Sequence, residues 1–157
     1  MTIIRIRNLR SILFIIYCTC LVLNFHTSNA MAGNIAITET KVIYASLDRN
    51  FIDPELKNLA EELGSVFRYT SYKLIKTKHM VLNNNQQGIV NIPGERSLIV
   101  TPIDISNKKI KYQISIFKSG NQIFTTKILL KNRRSITIGG PKFKNGYLIF
   151  NIAGQIQ

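Results

Sequence analysis

The sequence predicts an α+β fold: mainly antiparallel β-sheet, or a small sandwich, with one amphipathic helix over about residues 53–67. Three observations carry this. Apolar residues alternate with lysines and small polar residues in run after run beyond residue 69, which is the period of strands with one wet face. Turn-forming pairs such as Pro93-Gly94, Gly120-Asn121 and Asn145-Gly146 separate those runs. Only one stretch steps by three and four: Leu56, Leu59, Ala60, Leu63, Val66 and Phe67, the spacing of one helical stripe.

Ile35 to Leu47 reads as the first strand, densest at Val42, Ile43 and Tyr44. The helix then starts at Asp53-Pro54-Glu55. Asp53 caps free amides, Pro54 suits the first turn, and Glu55 suits the positive end of the helix dipole. Tyr69 to Leu82 is a long strand that Asn83-Asn84-Asn85 ends. Ile89 to Ile92 is a short one. Leu98 to Ile105 follows, and Pro102 within it implies a sheet edge or a bulge. Ile110, Tyr112, Ile114 and Ile116 form the inner face of the next strand, with Lys109 and Lys111 outside. After Ser119-Gly120-Asn121, the residues Phe124, Thr126, Ile128 and Leu130 are expected to face in, with Lys127 and Lys131 outward. Ile136 and Ile138 continue the alternation to Gly139-Gly140-Pro141, a turn or bulge. Asn145-Gly146 reads as a tight turn, and Tyr147 to Ile152 as a final strand covered on both faces. About seven short strands therefore follow the helix. Their runs look too short for the ~9–11-residue strands of a membrane barrel.

The first thirty residues read differently. Arg5, Arg7 and Arg10 precede an apolar run from Ser11 to Phe25, and Ser28-Asn29-Ala30 and Ala30-Met31-Ala32 offer small residues. That order is a secretory signal peptide, assigned to residues 1–32, leaving residues 33–157 as a single β-rich domain. Cleavage falls after Ala30 or Ala32, or the segment stays as an anchor. The 15 residues of its apolar run fall short of the roughly 20 apolar ones that a spanning helix needs. Cys18 and Cys20 lie inside it, so the exported chain has no thiol and no disulfide. The sequence places the protein in the periplasm or outside the cell, with no membrane span in the mature chain.

The formal charge of +13 is uneven. Residues 31–70 carry four basic and six acidic groups, whereas residues 71–157 carry fourteen basic groups against Glu95 and Asp104 alone. Such a field attracts an anionic partner, or the lysines simply blunt strand edges. Lys109, Lys111, Lys127, Lys131, Arg133 and Arg134 fall on outward positions of two neighbouring strands and the turn after them. They are the candidate binding face.

Catalytic machinery is not visible. His79 is the single histidine beyond the leader, in a basic stretch with no partner group. Zinc sites of Cys and His are excluded by count. Glu61 and Glu62 are adjacent and splay by about 100° on a helix. Asp48 with Asp104 is a carboxylate pair that only the fold could bring together. Gly139-Gly140-Pro141-Lys142 is followed by another strand, whereas a phosphate loop opens a helix. Phe117, Phe124, Phe143 and Tyr147 lie among lysines, a composition that can stack on bases, but export argues against nucleic acid. No catalytic residue, metal or cofactor is expected.

The run Asp53-Pro54-Glu55-Leu56 through Phe67-Arg68-Tyr69-Thr70-Ser71-Tyr72 resembles a pattern in small exported bacterial envelope proteins of unassigned function. Thr125-Thr126 and Ile136-Thr137-Ile138-Gly139-Gly140 resemble a closing strand-and-turn element of secretins. Secretins carry a leucine-like residue after the paired glycines, where this chain has Pro141. The resemblance therefore implies an envelope setting and not a pore. Together these readings predict a non-enzymatic exported envelope protein, a binding or assembly module with a basic β-face. Its partner would be a protein complex or an anionic envelope surface. The alternatives are a hydrolase or ligand-binding enzyme with a cryptic site, and a structural subunit that joins a larger complex by edge-strand pairing.

Overall fold

The two ends of the folded domain are hydrogen-bonded to each other. Ile35 N donates to Gln157 O at 3.0 Å and Gln157 N donates to Ile35 O at 2.9 Å. The computed structural model describes residues 34–157. The expected signal peptide lies outside the described residues. Gly33–Gln157 form one compact unit.

Strand β1 (Ala36–Ser46) and strand β9 (Gly146–Ile156) form the centre of a five-stranded sheet. Beside β1 lies β3 (Ser71–Leu82), flanked by the two-residue parallel strand β2 (Phe51–Ile52). Beside β9 lies β8 (Arg134–Phe143). The second sheet is a meander of β4 (Gly88–Ile92), β5 (Arg96–Ser106), β6 (Lys109–Lys118) and β7 (Asn121–Lys131). Every pairing except that of β2 with β3 is antiparallel. The fold is thus α+β and mainly β, as the alternation implies.

One core lies between the sheets. Val42, Leu148, Phe150 and Ile152 from the first meet Leu98, Val100, Ile110, Tyr112, Ile114 and Leu130 from the second. Tyr112 carries a polar atom into this core. Its hydroxyl lies 2.7 Å from Thr38 Oγ1, and burial pushes its pKa up, against a smaller lowering by that hydrogen bond. Thr40 Oγ1 is buried with no hydrogen-bond partner among the described residues.

A second core lies on the other face of the first sheet, under the helical segment. Ile43, Ala45, Tyr72 and Ile149 meet Leu56 and Leu63 there. A bulge makes this possible. Val42 pairs with Lys76 and Ile43 with Leu74, so Ile75 is the extra residue. An extra residue reverses which face the later side chains take. Met80 and Leu82 therefore pack between the sheets, while Tyr72 and Leu74 pack under the helix.

The helical segment differs from the single regular helix expected over 53–67. It is a 3-10 helix, Pro54–Leu59, running into a short α-helix, α1 (Ala60–Val66). Asp53 caps it as expected: its Oδ1 accepts from Glu55 N at 3.2 Å. Its Oδ2 also accepts from Leu74 N at 3.3 Å, which ties the helix start to β3. Only Leu56 and Leu63 of the apolar stripe are fully buried; Leu59 is half-buried and Val66 is 62% exposed. The chain leaves the helix at Phe67, which is extended. Phe67 takes the last core position, against Gly139, and Val66 is left outside.

Three further expectations are corrected. Six of the seven strands after the helix have 10–12 residues rather than being short. Length therefore does not separate them from membrane-barrel strands; their division between two separate sheets does, since a barrel closes one sheet on itself. Phe124 does not face a closed core: it is 42% exposed, because β7 is an edge strand and the bulge at Ile123 lifts its first half. The turn near Asn145-Gly146 is displaced by one residue. Phe143 pairs with Gly146, and Lys144 takes the positive φ of 50°. Gly146 is required instead by packing, since a Cβ there would lie 2.0 Å from Ala45 O.

Pro102, read as a sheet edge or a bulge, and Gly139-Gly140-Pro141, read as a turn or a bulge between strands, are both bulges inside strands. The register shifts at Pro102 in β5 and between Gly139 and Lys142 in β8. A Cβ on Gly140 would sit 2.5 Å from the Phe150 ring, so close packing accounts for that glycine. Among the described residues no helix is long and apolar enough to cross a membrane.

Leu63→Ala should cost about 2–5 kcal/mol in urea denaturation, while Val66→Ala should change stability by less than ~0.5 kcal/mol. Equal losses would show that both side chains are buried. Thr40→Val should stabilise the domain by about 1 kcal/mol, because it removes a buried hydroxyl without a partner and keeps the shape. A loss of stability would reveal a partner for that hydroxyl.

Candidate functional site

Lys109, Lys111, Lys127 and Lys131 stand on one face of the second sheet. The β6–β7 register decides this. Lys109 pairs with Lys131, Lys111 with Leu129, and Gln113 with Lys127. Ile110 pairs with Leu130 and Tyr112 with Ile128, and these point into the core. The odd-numbered positions therefore face away from it. Ser119 and Gly120 make the connecting turn, with φ of 49° and 82°. Two positive φ angles in a two-residue loop twist in the sense that keeps the hairpin paired.

The same register places exposed Leu129 among these lysines. It lies between Lys127 and Lys131 along β7 and opposite Lys111 on β6, and is 60% exposed. On the other side of β6, Asp104 of β5 stands opposite Lys111. Strand spacing of ~4.8 Å and a rise of ~3.4 Å per residue put the four lysine positions within about 15 Å of one another. Neighbouring members lie at or inside the screening length of about 8 Å, so their fields add. Two lysines directly opposite are unfavourable for the sheet itself. The sequence pattern identified the four lysines. It did not identify Leu129, which reads there as one more apolar residue of a strand.

Arg133 and Arg134 do not join this face. Arg133 occupies the turn after β7 with φ of 59°, and its N–H donates to Gly154 O at 2.9 Å. Arg134 opens β8, which belongs to the other sheet. Both line an open groove with Ile37, Glu39, Ser135 and Gln155. The expected six-residue face is therefore four lysines, with the two arginines on a separate groove. Continuity of sequence misled here, because a two-residue turn carries the chain from one sheet to the other.

Other polar groups are placed by the fold rather than gathered into a centre. His79 is exposed on β3, with Nε2 3.5 Å from Glu39; Lys41 Nζ is 3.3 Å from the same carboxylate. Glu62 accepts from Thr137 Oγ1, which in turn accepts from Asn151 at 2.9 Å. Asp48 lines a groove with Tyr44, Arg49, Phe51 and Lys73, while Asp104 sits on the second sheet. A third groove runs between Ile92, Arg96 and Phe117 and holds Glu95. Each of these grooves carries one carboxylate. Among the described residues no three His, Cys, Asp or Glu side chains are grouped to hold a metal ion.

Phe117, Phe124, Phe143 and Tyr147 do not form one stacking surface. The first two belong to the second sheet and the last two to the end of the first. Phe143 packs edge-on against Tyr44 at 5.8 Å, with Lys144 Nζ 5.5 Å from its ring centre. Tyr147 meets Tyr69 at 6.1 Å. Burial raises the Tyr69 pKa, helped by repulsion from Tyr147. Arg96 and Lys78 act across the sheets: Arg96 Nη1 donates to Lys142 O at 3.1 Å, and Lys78 Nζ donates to Ile89 O.

No family model, curated protein or solved structure matches this chain.

Lys131→Glu should turn the unfavourable Lys109–Lys131 pair into a favourable one. Stability should rise at low salt by at most about 1 kcal/mol, and the gain should fade in about 1 M salt, where screening shortens to ~3 Å. A loss at low salt would place the two side chains apart.

Proposed function

We propose that this is a non-enzymatic exported envelope protein, a binding module that docks its lysine face on an anionic partner. One observation carries the reading: Lys109, Lys111, Lys127 and Lys131 converge on one sheet face although Lys109 and Lys131 oppose each other there. A sheet that only needed solubility would gain as much from threonine at those positions, or from lysine facing glutamate, without the repulsion. A flat cationic face with an apolar residue at its centre suits an extended anionic surface more than a small ligand. That surface would be an acidic face of a protein complex or an anionic component of the envelope. Export rests on the arginine-led apolar leader and its small-residue exit.

The enzyme reading has less support. Acid–base hydrolysis of glycosides uses two placed carboxylates, and Asp48 and Asp104 lie in different parts of the fold.

The test is a fourfold reversal, Lys109, Lys111, Lys127 and Lys131 each to Glu, with circular dichroism to confirm the fold. Binding to vesicles rich in anionic lipid, and recovery of partners from the native envelope, should fall more than tenfold at low salt. Wild-type binding should weaken steadily as salt rises. Unchanged binding by the folded variant would remove the main support for this reading.

A further inference from the structure

The edges of the two sheets are protected unequally. Sheet edges are normally kept from pairing by shortness, lysine, proline or bulges. β4 has five residues and β2 two. The outer edge of β3 carries Lys73, Lys76 and Lys78, and β8 is broken by the bulge at Gly140-Pro141. β7 has eleven residues and, among the described residues, pairs only with β6. Its first six, Asn121–Thr126, carry no charge and no proline. Ile123, Phe124 and Leu129 are 49%, 42% and 60% exposed along it.

We propose that β7 pairs with β7 of a second copy of this chain, antiparallel and centred on Thr126. The register follows from the strand's own residues. A two-fold axis at Thr126 sets Ile123 opposite the second copy's Leu129 on the outer face. On the inner face it sets Phe124 opposite Ile128 of the second copy. Lys127 meets Thr125, and Lys131 falls outside the stretch that the bulge at Ile123 leaves for pairing, so no lysine opposes a lysine. Moving the axis by one residue toward Lys127 places Lys127 opposite itself. Moving it the other way places Lys127 opposite Ile123. Shifts of half a residue set core-facing positions against outer ones, which the pleat forbids. One register therefore satisfies both the apolar and the charged positions, as a self-complementary two-fold interface requires. The bulge at Ile123 bounds the ladder at one end and the turn into β8 bounds it at the other. A ladder of this length makes a small, exchanging dimer rather than an obligate one.

The axis is perpendicular to the sheet, so both lysine faces lie on the same side of one eight-stranded sheet. The inference rests on the register of β7 and not on anion docking. Salt separates the two: it screens lysines brought close across the axis and favours the dimer, whereas it weakens docking on an anion.

The test is sedimentation of the purified protein from micromolar to millimolar concentration, with Thr125 as the reporter because it faces Lys127 of the second copy twice per dimer. Thr125→Glu should tighten the dimer and Thr125→Lys should loosen it, each by about 2- to 30-fold, from two cross-strand pairs. Leu129→Gln should leave a monomer whose melting matches that of dilute wild-type protein. A wild-type chain that stays monomeric over the whole range overturns the proposal. So does a dimer on which the two Thr125 variants act in the same direction or not at all.

Discussion

The pairing of β1 with β9 is the constraint on which the rest of this structure depends. It joins the two ends of the domain in a continuous register from Ala36 opposite Ile156 to Ala45 opposite Tyr147. These two strands are the only ones in the first sheet with a strand on each side along most of their length and cover on both faces. The second sheet packs on one face of them through Val42, Leu148, Phe150 and Ile152. The helical segment packs on the other through Ile43, Ala45 and Ile149. Contacts so distant in sequence carry a large loop-closure cost and form late and slowly. The hairpins from β4 to β7 need no such closure, and their local turns fix their register.

That division of labour has a consequence for the surface. The β4–β7 sheet has one face in the core and the other uncovered by any element among the described residues, so its outward positions are free to carry charge. The first sheet has no such freedom around Leu56 and Leu63, where its outer face is under the helical segment. A positive face could therefore develop on the second sheet at small structural cost. The Lys109–Lys131 opposition is the part of that cost which remains visible.

The polar atoms of the interior show a related tension. Thr38 and Tyr112 satisfy each other between the sheets, and Thr40 finds no partner among the described residues. Gly154 makes room for the Tyr112 hydroxyl, since a Cβ there would approach it to 2.8 Å. The hydroxyl pair adds direction to a core built mostly of apolar side chains, and a directional contact specifies how two sheets face each other better than apolar area does.

The sequence alone determined the fold class, the strand order after the helix, the cap at Asp53 and the inward and outward faces of β6, and it marked Pro102 and Gly139–Pro141 as irregular without deciding between a bulge and an edge or turn. These depend on local rules: side chains alternate along a strand, proline cannot donate, and a short carboxylate caps a helix. It also placed the four lysines on one face, because a tight turn joins their strands and preserves the alternation. The tertiary structure decided the rest. Which sheet each strand joins is not encoded in its own period, so Arg133 and Arg134 left the face to which sequence order assigned them. The β3 bulge at Ile75 has no mark in composition, yet it sends Tyr72 and Leu74 to one core and Met80 and Leu82 to the other. Val66 and Leu129 are apolar by type and exposed by position, since burial depends on what another element brings to that spot, and no residue carries that information by itself.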